Sequence, residues 1–266
     1  MKMLPAVLFF SICMIGPAGT LVQAIDQNGN VPSGNMAASS QPYQPVAKTE
    51  TWWTQRHAEL LRRTKQGNAD LLFLGDSIMQ GWNCRFMLAD PATPHDGAGR
   101  ELWDKLYAPL NAANQSIGGD RIENLLWRIT AGGEIDGFSP KVIVLLIGTN
   151  SLAAKDPPER VAAGVGQVLR ELGTRMPNAK ILLLGIFPRG QKSDDPLRLP
   201  IRETNALLAK MDDGKRVHFL DFGSQFLSPD GSISTEIMGD YVHPTAKGYA
   251  VWAEAMRPSL DRLWRH

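Results

Sequence analysis

Short apolar runs alternate with helical patterns along most of the chain. The runs at 71–74, 142–147 and 181–184 each end at a glycine, and a fourth run lies at 217–220. Fully apolar runs of this length are typical of strands in a parallel sheet that helices cover on both faces. Residues 111–114 are a weaker candidate for a further strand.

Amphipathic stretches separate these runs and predict the helices. They lie at about 49–67, 120–131, 158–175, 200–212 and 245–263. The alternating order of strands and helices predicts one open α/β sandwich of about five parallel strands, with no second domain. Ligands of such sheets bind beyond the carboxyl ends of the strands, so reactive residues are expected there.

Residues 1–24 have the pattern of a signal peptide. Lys2 supplies positive charge, an apolar run follows from Leu4 to Ile15, and Val22-Gln23-Ala24 resembles a cleavage site. The apolar run is too short to span a bilayer comfortably. We therefore expect export to the periplasm or the extracellular space, without stable membrane insertion of the mature chain. An uncleaved membrane anchor is the alternative.

Residues 25–48 are rich in Asn, Gly, Ser, Pro and Gln, so they predict a flexible leader before a folded domain at 49–266. The chain has 28 basic and 27 acidic side chains, and cleavage after Ala24 removes one basic residue, Lys2, so the mature formal charge is zero. A neutral balance gives no electrostatic footprint for nucleic acid. Cys84 would be the single cysteine of the mature chain, which excludes an intrachain disulfide and favours a packing role.

Reactive residues follow the ends of the predicted strands. Gly75-Asp76-Ser77 follows the first run, Asn114 to Asp120 follows the weaker candidate, and Gly148-Thr149-Asn150 follows the run at 142–147. A fourth motif, Asp240-Tyr241-Val242-His243, precedes the last helix. One such motif occurs by chance, but four in this order are hard to explain as packing. The pattern predicts a single active site at the carboxyl edge of the sheet.

The residue types fit nucleophilic catalysis. The Ser77 hydroxyl needs a base, which His243 can supply near neutral pH, and Asp240 can fix the histidine tautomer from three residues away. The tetrahedral intermediate also needs hydrogen-bond donors for its oxyanion. The candidates are the backbone N–H groups of Ser77 and Gly118 and the side-chain amide of Asn150.

These residues resemble the four sequence blocks of the SGNH or GDSL hydrolases, which contribute a serine, a glycine, an asparagine and a histidine. The matching stretches are LFLGDSIMQ, NQSIGGDRIENLLWRI, KVIVLLIGTN, ILLLGIFPRGQ with DPLR, and GDYVHPTAKGY, and they span most of residues 70–262. Within that family they are most similar to the catalytic α subunits of the type I platelet-activating-factor acetylhydrolases. The G-x-S-x-G elbow of the α/β-hydrolases is absent, because Met79 stands at its last glycine.

The resemblance implies a flavodoxin-like three-layer α/β/α sandwich, ester hydrolysis without a metal or other cofactor, and a small acyl pocket. The pocket walls carried over are three β-branched residues: Ile78, Thr149 and Val242. We therefore expect a serine esterase for short acyl groups, above all acetyl, on a small-molecule or carbohydrate alcohol. The family also contains homodimers, but no feature of this sequence decides that question.

Several functional alternatives stay open at this point. A thioesterase or a lysophospholipase could use the same residues, and a non-catalytic carbohydrate- or lipid-binding module could keep the fold. Residues 84–99 look like an insertion, either a surface loop or a wall of the leaving-group site. The adjacent pair His95-Asp96 is a weak metal-site candidate, since no third ligand lies nearby in sequence.

Other polar and aromatic residues also have two interpretations. Trp82, Trp103 and Trp127 either line the mouth of the site or pack against the sheet. Arg121 and Arg189 either bind a substrate anion or face solvent. His57 is expected to face solvent on the first predicted helix, at 49–67, which we call the entry helix.

Overall fold

The computed structural model describes residues 41–84 and 97–265. The predicted signal peptide, residues 25–40 of the predicted leader, and residues 85–96 of the predicted insertion lie outside the described residues.

A five-stranded parallel sheet lies at the centre of the domain, in the strand order β2-β1-β3-β4-β5. The strands are β1 (Leu71–Gly75), β2 (Ala112–Ser116), β3 (Val142–Leu146), β4 (Lys180–Leu184) and β5 (Val217–Leu220). The predicted α/β sandwich of about five parallel strands is confirmed. Gly75 pairs with Ser116 on one side and with Leu146 on the other, so three strands end at one edge of the sheet.

Eight α-helices connect and cover the strands within the described residues. They are α1 (Thr51–Lys65), α2 (Ser77–Gln80), α3 (Arg100–Leu106), α4 (Ile122–Ile129), α5 (Thr149–Ala153), α6 (Pro158–Arg175), α7 (Arg198–Leu208) and α8 (Ala246–Arg265). The longer helices agree with the predicted ones, whereas α2, α3 and α5 are too short to show a helical repeat in sequence. No helix among residues 41–84 and 97–265 is both long and apolar enough to cross a membrane.

The sheet separates two apolar cores. Leu72 and Leu74 point to a core that contains the inner faces of α4, α6 and α7. Leu71 and Phe73 point to the opposite core, which α3 and α8 complete. Because successive strand residues face opposite sides, a strand covered on both faces must be apolar throughout. This explains why the central strands read as continuous apolar runs.

The three tryptophan side chains with two interpretations pack within the domain. Trp82 and Trp103 are buried in the core beneath α8, where their rings contact Phe73 within an aromatic cluster. Trp127 is partly buried, and its ring packs against Trp53. The alternative in which Trp82 and Trp103 line the mouth of the site is therefore wrong.

Residues 41–48 pack along the domain, although their composition predicts part of a flexible leader. Tyr43 is buried, and its hydroxyl donates a hydrogen bond to Asp156 at 2.8 Å. The Val46 N–H donates to the carbonyl of Glu123 at 3.0 Å, so the segment is also anchored through its backbone. One buried aromatic ring supplies contacts that an average over a polar segment does not reveal. The predicted boundary between residues 48 and 49 therefore falls too late, and the ordered domain already includes residue 41.

Candidate active site

Ser77 lies where β1 turns directly into helix α2. The preceding residue, Asp76, caps this helix, because its Oδ1 atom accepts a hydrogen bond from the Ile78 N–H at 3.0 Å. Gly75 has no room for a side chain: a Cβ atom there would lie 2.3 Å from the Leu146 carbonyl oxygen. The tight strand-to-helix turn leaves Ser77 at the carboxyl edge of the sheet, as the motif predicts.

His243 and Asp240 form a compact unit before α8. Asp240 Oδ2 lies 2.6 Å from His243 Nδ1, and Oδ1 accepts the backbone N–H groups of Val242 at 3.0 Å and His243 at 2.7 Å. Partial burial alone would raise the pKa of Asp240, but the hydrogen bonds from His243 outweigh it and hold that pKa below its usual value. Asp240 therefore stays ionised and fixes both the loop and the ring.

The two elements meet across the edge of the sheet. His243 Nε2 lies 2.8 Å from Ser77 Oγ, a hydrogen-bonding distance between residues 166 positions apart. With the bond to Asp240, the three side chains form one hydrogen-bonded line. In this arrangement the imidazole can take the serine proton while the carboxylate stabilises the resulting imidazolium.

The backbone N–H groups of the loop after β2 differ in whether they already have a hydrogen-bond partner. The N–H of Gly118 donates to Gln80 Oε1 at 2.7 Å and is thus already engaged. The next N–H, that of Gly119, has no hydrogen-bond partner within residues 41–84 and 97–265. Gly119 has a φ of +69°, a conformation that favours glycine. Of the two glycines, the predicted Gly118 already uses its N–H, whereas the N–H of Gly119 is available to a ligand.

Asn150 also lies at this edge, in the first turn of α5. One N–H of its side-chain amide donates to the carbonyl of Asp120 at 2.9 Å. That bond ties α5 to the Gly118-Gly119 loop. Since an amide nitrogen carries two hydrogens, the second remains a donor for a ligand.

The predicted acyl-pocket residues lie on three different elements. Ile78 on α2 and Thr149 at the start of α5 are buried, and Val242 beside His243 is partly buried. Thr149 Oγ1 accepts a hydrogen bond from Arg189 Nη1 at 3.2 Å, so Arg189 lies against this group. Arg121, by contrast, pairs with Asp156 at 2.9 Å.

The comparison with protein families decides the identity. The model of the GDSL-like lipase/acylhydrolase family matches residues 73–251, which includes every motif of the site. The chain is a GDSL-like acylhydrolase. It is a hydrolase that acts on esters.

Curated relatives of this acylhydrolase include platelet-activating factor acetylhydrolase IB subunits. Subunit alpha2 of Rattus norvegicus is 35% identical over 212 residues, covering 79% of this chain and 84% of the relative. Subunit alpha1 of Homo sapiens is 32% identical over 231 residues, covering 86% of this chain and 91% of the relative. The SGNH resemblance found from the motifs is confirmed.

Two solved structures with low sequence identity show the same fold. A GDSL-like lipase from Bacteroides thetaiotaomicron has a TM-score of 0.56 at 15% identity, covering 79% of this chain and 97% of the other. An acetylxylan esterase from Geobacillus stearothermophilus has a TM-score of 0.53 at 20% identity, covering 72% and 94%.

The acylhydrolase also contains a buried ionic network that the sequence did not suggest. Arg128 on α4 has no exposed side-chain surface, and its guanidinium pairs with the carboxylates of Asp120 at 2.7 Å and of Glu134. It also donates to the carbonyls of Gly75 at 3.0 Å and Gln115 at 2.9 Å. The network thus joins the end of β1, before Ser77, to β2 and the loop that follows it. An arginine between Leu126 and Ile129 on a mostly apolar helix was the one available signal.

His57 belongs to the edge of this network, and the expectation that it faces solvent is wrong. Its Nδ1 atom lies 2.6 Å from Glu134 Oε1, and its ring stacks on Trp53 with 5.6 Å between centroids. Trp53 Nε1 in turn donates to Asp120 Oδ1 at 2.7 Å. The entry helix therefore helps to hold the loop that follows β2.

Asp76, beside the nucleophile, is a further titratable group in the acylhydrolase site. Burial raises the pKa of Asp76 to about 7, the like charge of Asp120 adds to this effect, and the bond from the Ile78 N–H opposes it. Its Oδ2 atom has no hydrogen-bond partner within the described residues. The group is therefore more basic when folded than when unfolded.

This shift predicts a pH-dependent stability. Because the folded pKa of about 7 exceeds the ordinary value of 3.8, Asp76 contributes stability at low pH that is lost as the pH rises through 7. We expect the unfolding free energy of the wild type, relative to Asp76→Asn, to fall by about 1 kcal/mol between pH 6 and pH 8. Urea unfolding of both proteins at the two pH values measures this. A constant difference would show that Asp76 titrates normally.

Proposed function

We propose that this acylhydrolase is an exported serine esterase that hydrolyses short-chain carboxylic esters, above all acetyl esters. The observation that carries the proposal is the hydrogen-bonded line from Asp240 through His243 to Ser77, with distances of 2.6 Å and 2.8 Å. A nucleophile, a base and an orienting carboxylate in this order are the parts that acyl transfer requires.

The proposed reaction has two steps. His243 takes the Ser77 proton as Oγ attacks the ester carbonyl, and then gives that proton to the departing alcohol. In the second step His243 takes a proton from water, whose oxygen attacks the acyl group on Ser77. His243 then gives this proton to Ser77 Oγ as the Ser77–acyl bond breaks, which releases the carboxylic acid and restores the serine hydroxyl. Asp240 stays ionised throughout and stabilises the imidazolium that forms in each step.

Three donors are proposed for the oxyanion: the backbone N–H groups of Ser77 and Gly119 and the side-chain amide of Asn150. Gly119 replaces the predicted Gly118 because the N–H of Gly118 donates to Gln80. Each donor lies on a different element: α2, the loop after β2, and the first turn of α5. Donors fixed before the reaction cost no reorganisation when charge develops, and losing one typically costs about 100- to 1,000-fold in rate.

The preference for short acyl groups rests on the buried surroundings of Ser77. Ile78 is 2% exposed and Thr149 is 3% exposed. Displacing either side chain would disturb its neighbours, because protein cores are close-packed. Both side chains, like Val242, are β-branched and stiff at χ1. The names of the relatives, an acetylhydrolase and an acetylxylan esterase, agree with an acetyl substrate.

A series of p-nitrophenyl esters tests the acyl preference. We expect kcat/KM to be highest for acetate and to fall with each added methylene, since one methylene changes pocket binding by about 1–3 kcal/mol. Val242→Ala should move the optimum toward longer chains by removing one wall. Val46→Ala is the matched control, because Val46 is half exposed and lies outside the proposed pocket. Equal efficiency for acetate and octanoate would contradict the short-chain preference.

If the protein is exported as proposed, its substrate lies outside the cytoplasm. Acetylated polysaccharides or small sugar esters are the proposed class. Hydrolysis of acetylated xylan, sialic acid esters and acetylated phospholipids, measured side by side, distinguishes them. Fractionation of cells that express the full chain tests export, and protein retained in the cytoplasm would contradict it.

A further inference from the structure

The loop Gly118-Gly119 is held from two sides. Gln80, which is 4% exposed, accepts the Gly118 N–H at 2.7 Å through Oε1. Lys48 Nζ donates to the carbonyl of Gly119 at 2.7 Å. Two consecutive glycines would otherwise rotate freely about their backbone bonds, because they carry no Cβ atoms.

Three successive peptide groups, which join residues 117–118, 118–119 and 119–120, differ in their hydrogen bonds. In the first, the Ile117 carbonyl accepts the Asp120 N–H at 3.4 Å and the Gly118 N–H donates to Gln80. In the third, the Gly119 carbonyl accepts a hydrogen bond from Lys48 Nζ, and the Asp120 N–H donates to the Ile117 carbonyl. Only the middle peptide keeps an N–H, that of Gly119, without a partner in the described part of the chain. Two fixed peptides therefore flank one available donor.

Gln80 is also rigidly linked to the nucleophile. It lies three residues after Ser77 on α2, and its N–H donates to the Asp76 carbonyl at 2.8 Å. The side-chain amide therefore connects the helix that carries Ser77 to the loop that carries the Gly119 donor. This fixes the spacing between the attacking oxygen and the oxyanion donor.

We propose that Gln80 is a positioning residue for the proposed ester hydrolysis, on which this inference rests: its amide oxygen holds the Gly118 peptide so that the Gly119 N–H points at the developing oxyanion. Gln80 does not touch the reacting atoms. Its loss would free the first peptide to rotate, and a misplacement of about 1 Å can cost on the order of 100-fold in rate. The loss should appear in kcat more than in KM, because the oxyanion forms only in the transition state.

Gln80→Met tests the role with a side chain of similar size that lacks the carbonyl acceptor. We expect kcat for p-nitrophenyl acetate to fall roughly 10- to 100-fold, with KM changed by less than about threefold. Asn205→Leu is the matched control, because Asn205 Oδ1 likewise accepts a buried backbone N–H, that of Ile186, at 2.8 Å. Urea unfolding of both variants shows whether their losses of stability are comparable.

Gln80→Glu keeps the acceptor and tests whether residue 80 lies close to the developing oxyanion. A carboxylate keeps the acceptor but places a negative charge near the oxyanion, so the pH profile of kcat should gain a descending limb as the new group ionises. A wild-type kcat in Gln80→Met would overturn the inference while leaving the esterase in place. If Gln80→Met does not fold, an unaltered pH profile in Gln80→Glu overturns it instead. Wild-type protein without Ser77-dependent turnover would overturn the esterase and this role together.

Discussion

Replacing Ser77 by alanine is expected to lower kcat for p-nitrophenyl acetate at least about 1,000-fold. The substitution removes the attacking oxygen, and the remaining donors can stabilise only the slow attack of water. Labelling by a fluorophosphonate probe should disappear in the same variant, because the probe bonds to an activated serine oxygen. His243→Ala should cost a similar factor, since the serine then has no base.

Ser116→Ala is a matched control for this prediction. Ser116 is also a buried serine at a strand end, and its hydroxyl has no hydrogen-bond partner within the described residues. Its loss should leave both turnover and labelling close to wild type. Retained labelling in Ser77→Ala, or folded wild-type protein that never labels, would favour a binding module with the same fold.

Arg128→Met is expected to lower the free energy of unfolding by about 3–5 kcal/mol, because it leaves two buried carboxylates without their cation. The partners, Asp120 and Glu134, are both completely buried. The carbonyls of Gly75 and Gln115 lose their donor as well. Urea unfolding followed by far-UV circular dichroism measures the loss.

Lys247→Met provides the comparison, because it removes an ion pair whose partners are both mostly exposed. Lys247 Nζ lies 2.7 Å from Glu236 Oε2, and the two side chains are 63% and 72% exposed. An exposed pair of this kind contributes about 0–1 kcal/mol. If Arg128→Met cost no more than Lys247→Met, the buried network would not be a stabilising unit.

The fold was predictable where burial alone dictates the residue type. The run at 71–74 and all but the last residue of the run at 142–147 lie in strands covered on both faces, so their apolar pattern is continuous. Strand β2 (AANQS) was only a weak candidate because it is polar. Its side chains are nevertheless buried: Asn114 donates to the Met79 carbonyl at 2.9 Å, and Gln115 donates to that of Glu134 at 2.7 Å. Those partners lie far along the chain and cannot be seen in a local pattern.

The candidate site was predictable as a set of residues but not in its details. Ser77, Asp240 and His243 stand in short motifs that predict one site when they are taken together with the Asn150 and Gly118 motifs. The engagement of the Gly118 N–H by Gln80, and with it the change of donor to Gly119, depends on how α2 packs beside the loop. Likewise, the pairing of His57 with Glu134 depends on where the entry helix lies. Neither contact leaves a periodic or spacing signal.

By itself, the sequence determined the parallel α/β sheet, the order of its elements and the residue types gathered at its carboxyl edge. It could do so because apolar periodicity and short motifs are local properties of the chain. Only the tertiary structure decided that residues 41–48 pack on the domain, that Arg128 is buried between two carboxylates, and which glycine keeps its N–H available. A hydrogen bond occupies a donor however far away its acceptor lies in the sequence. Which donors stay available therefore follows only from the folded chain.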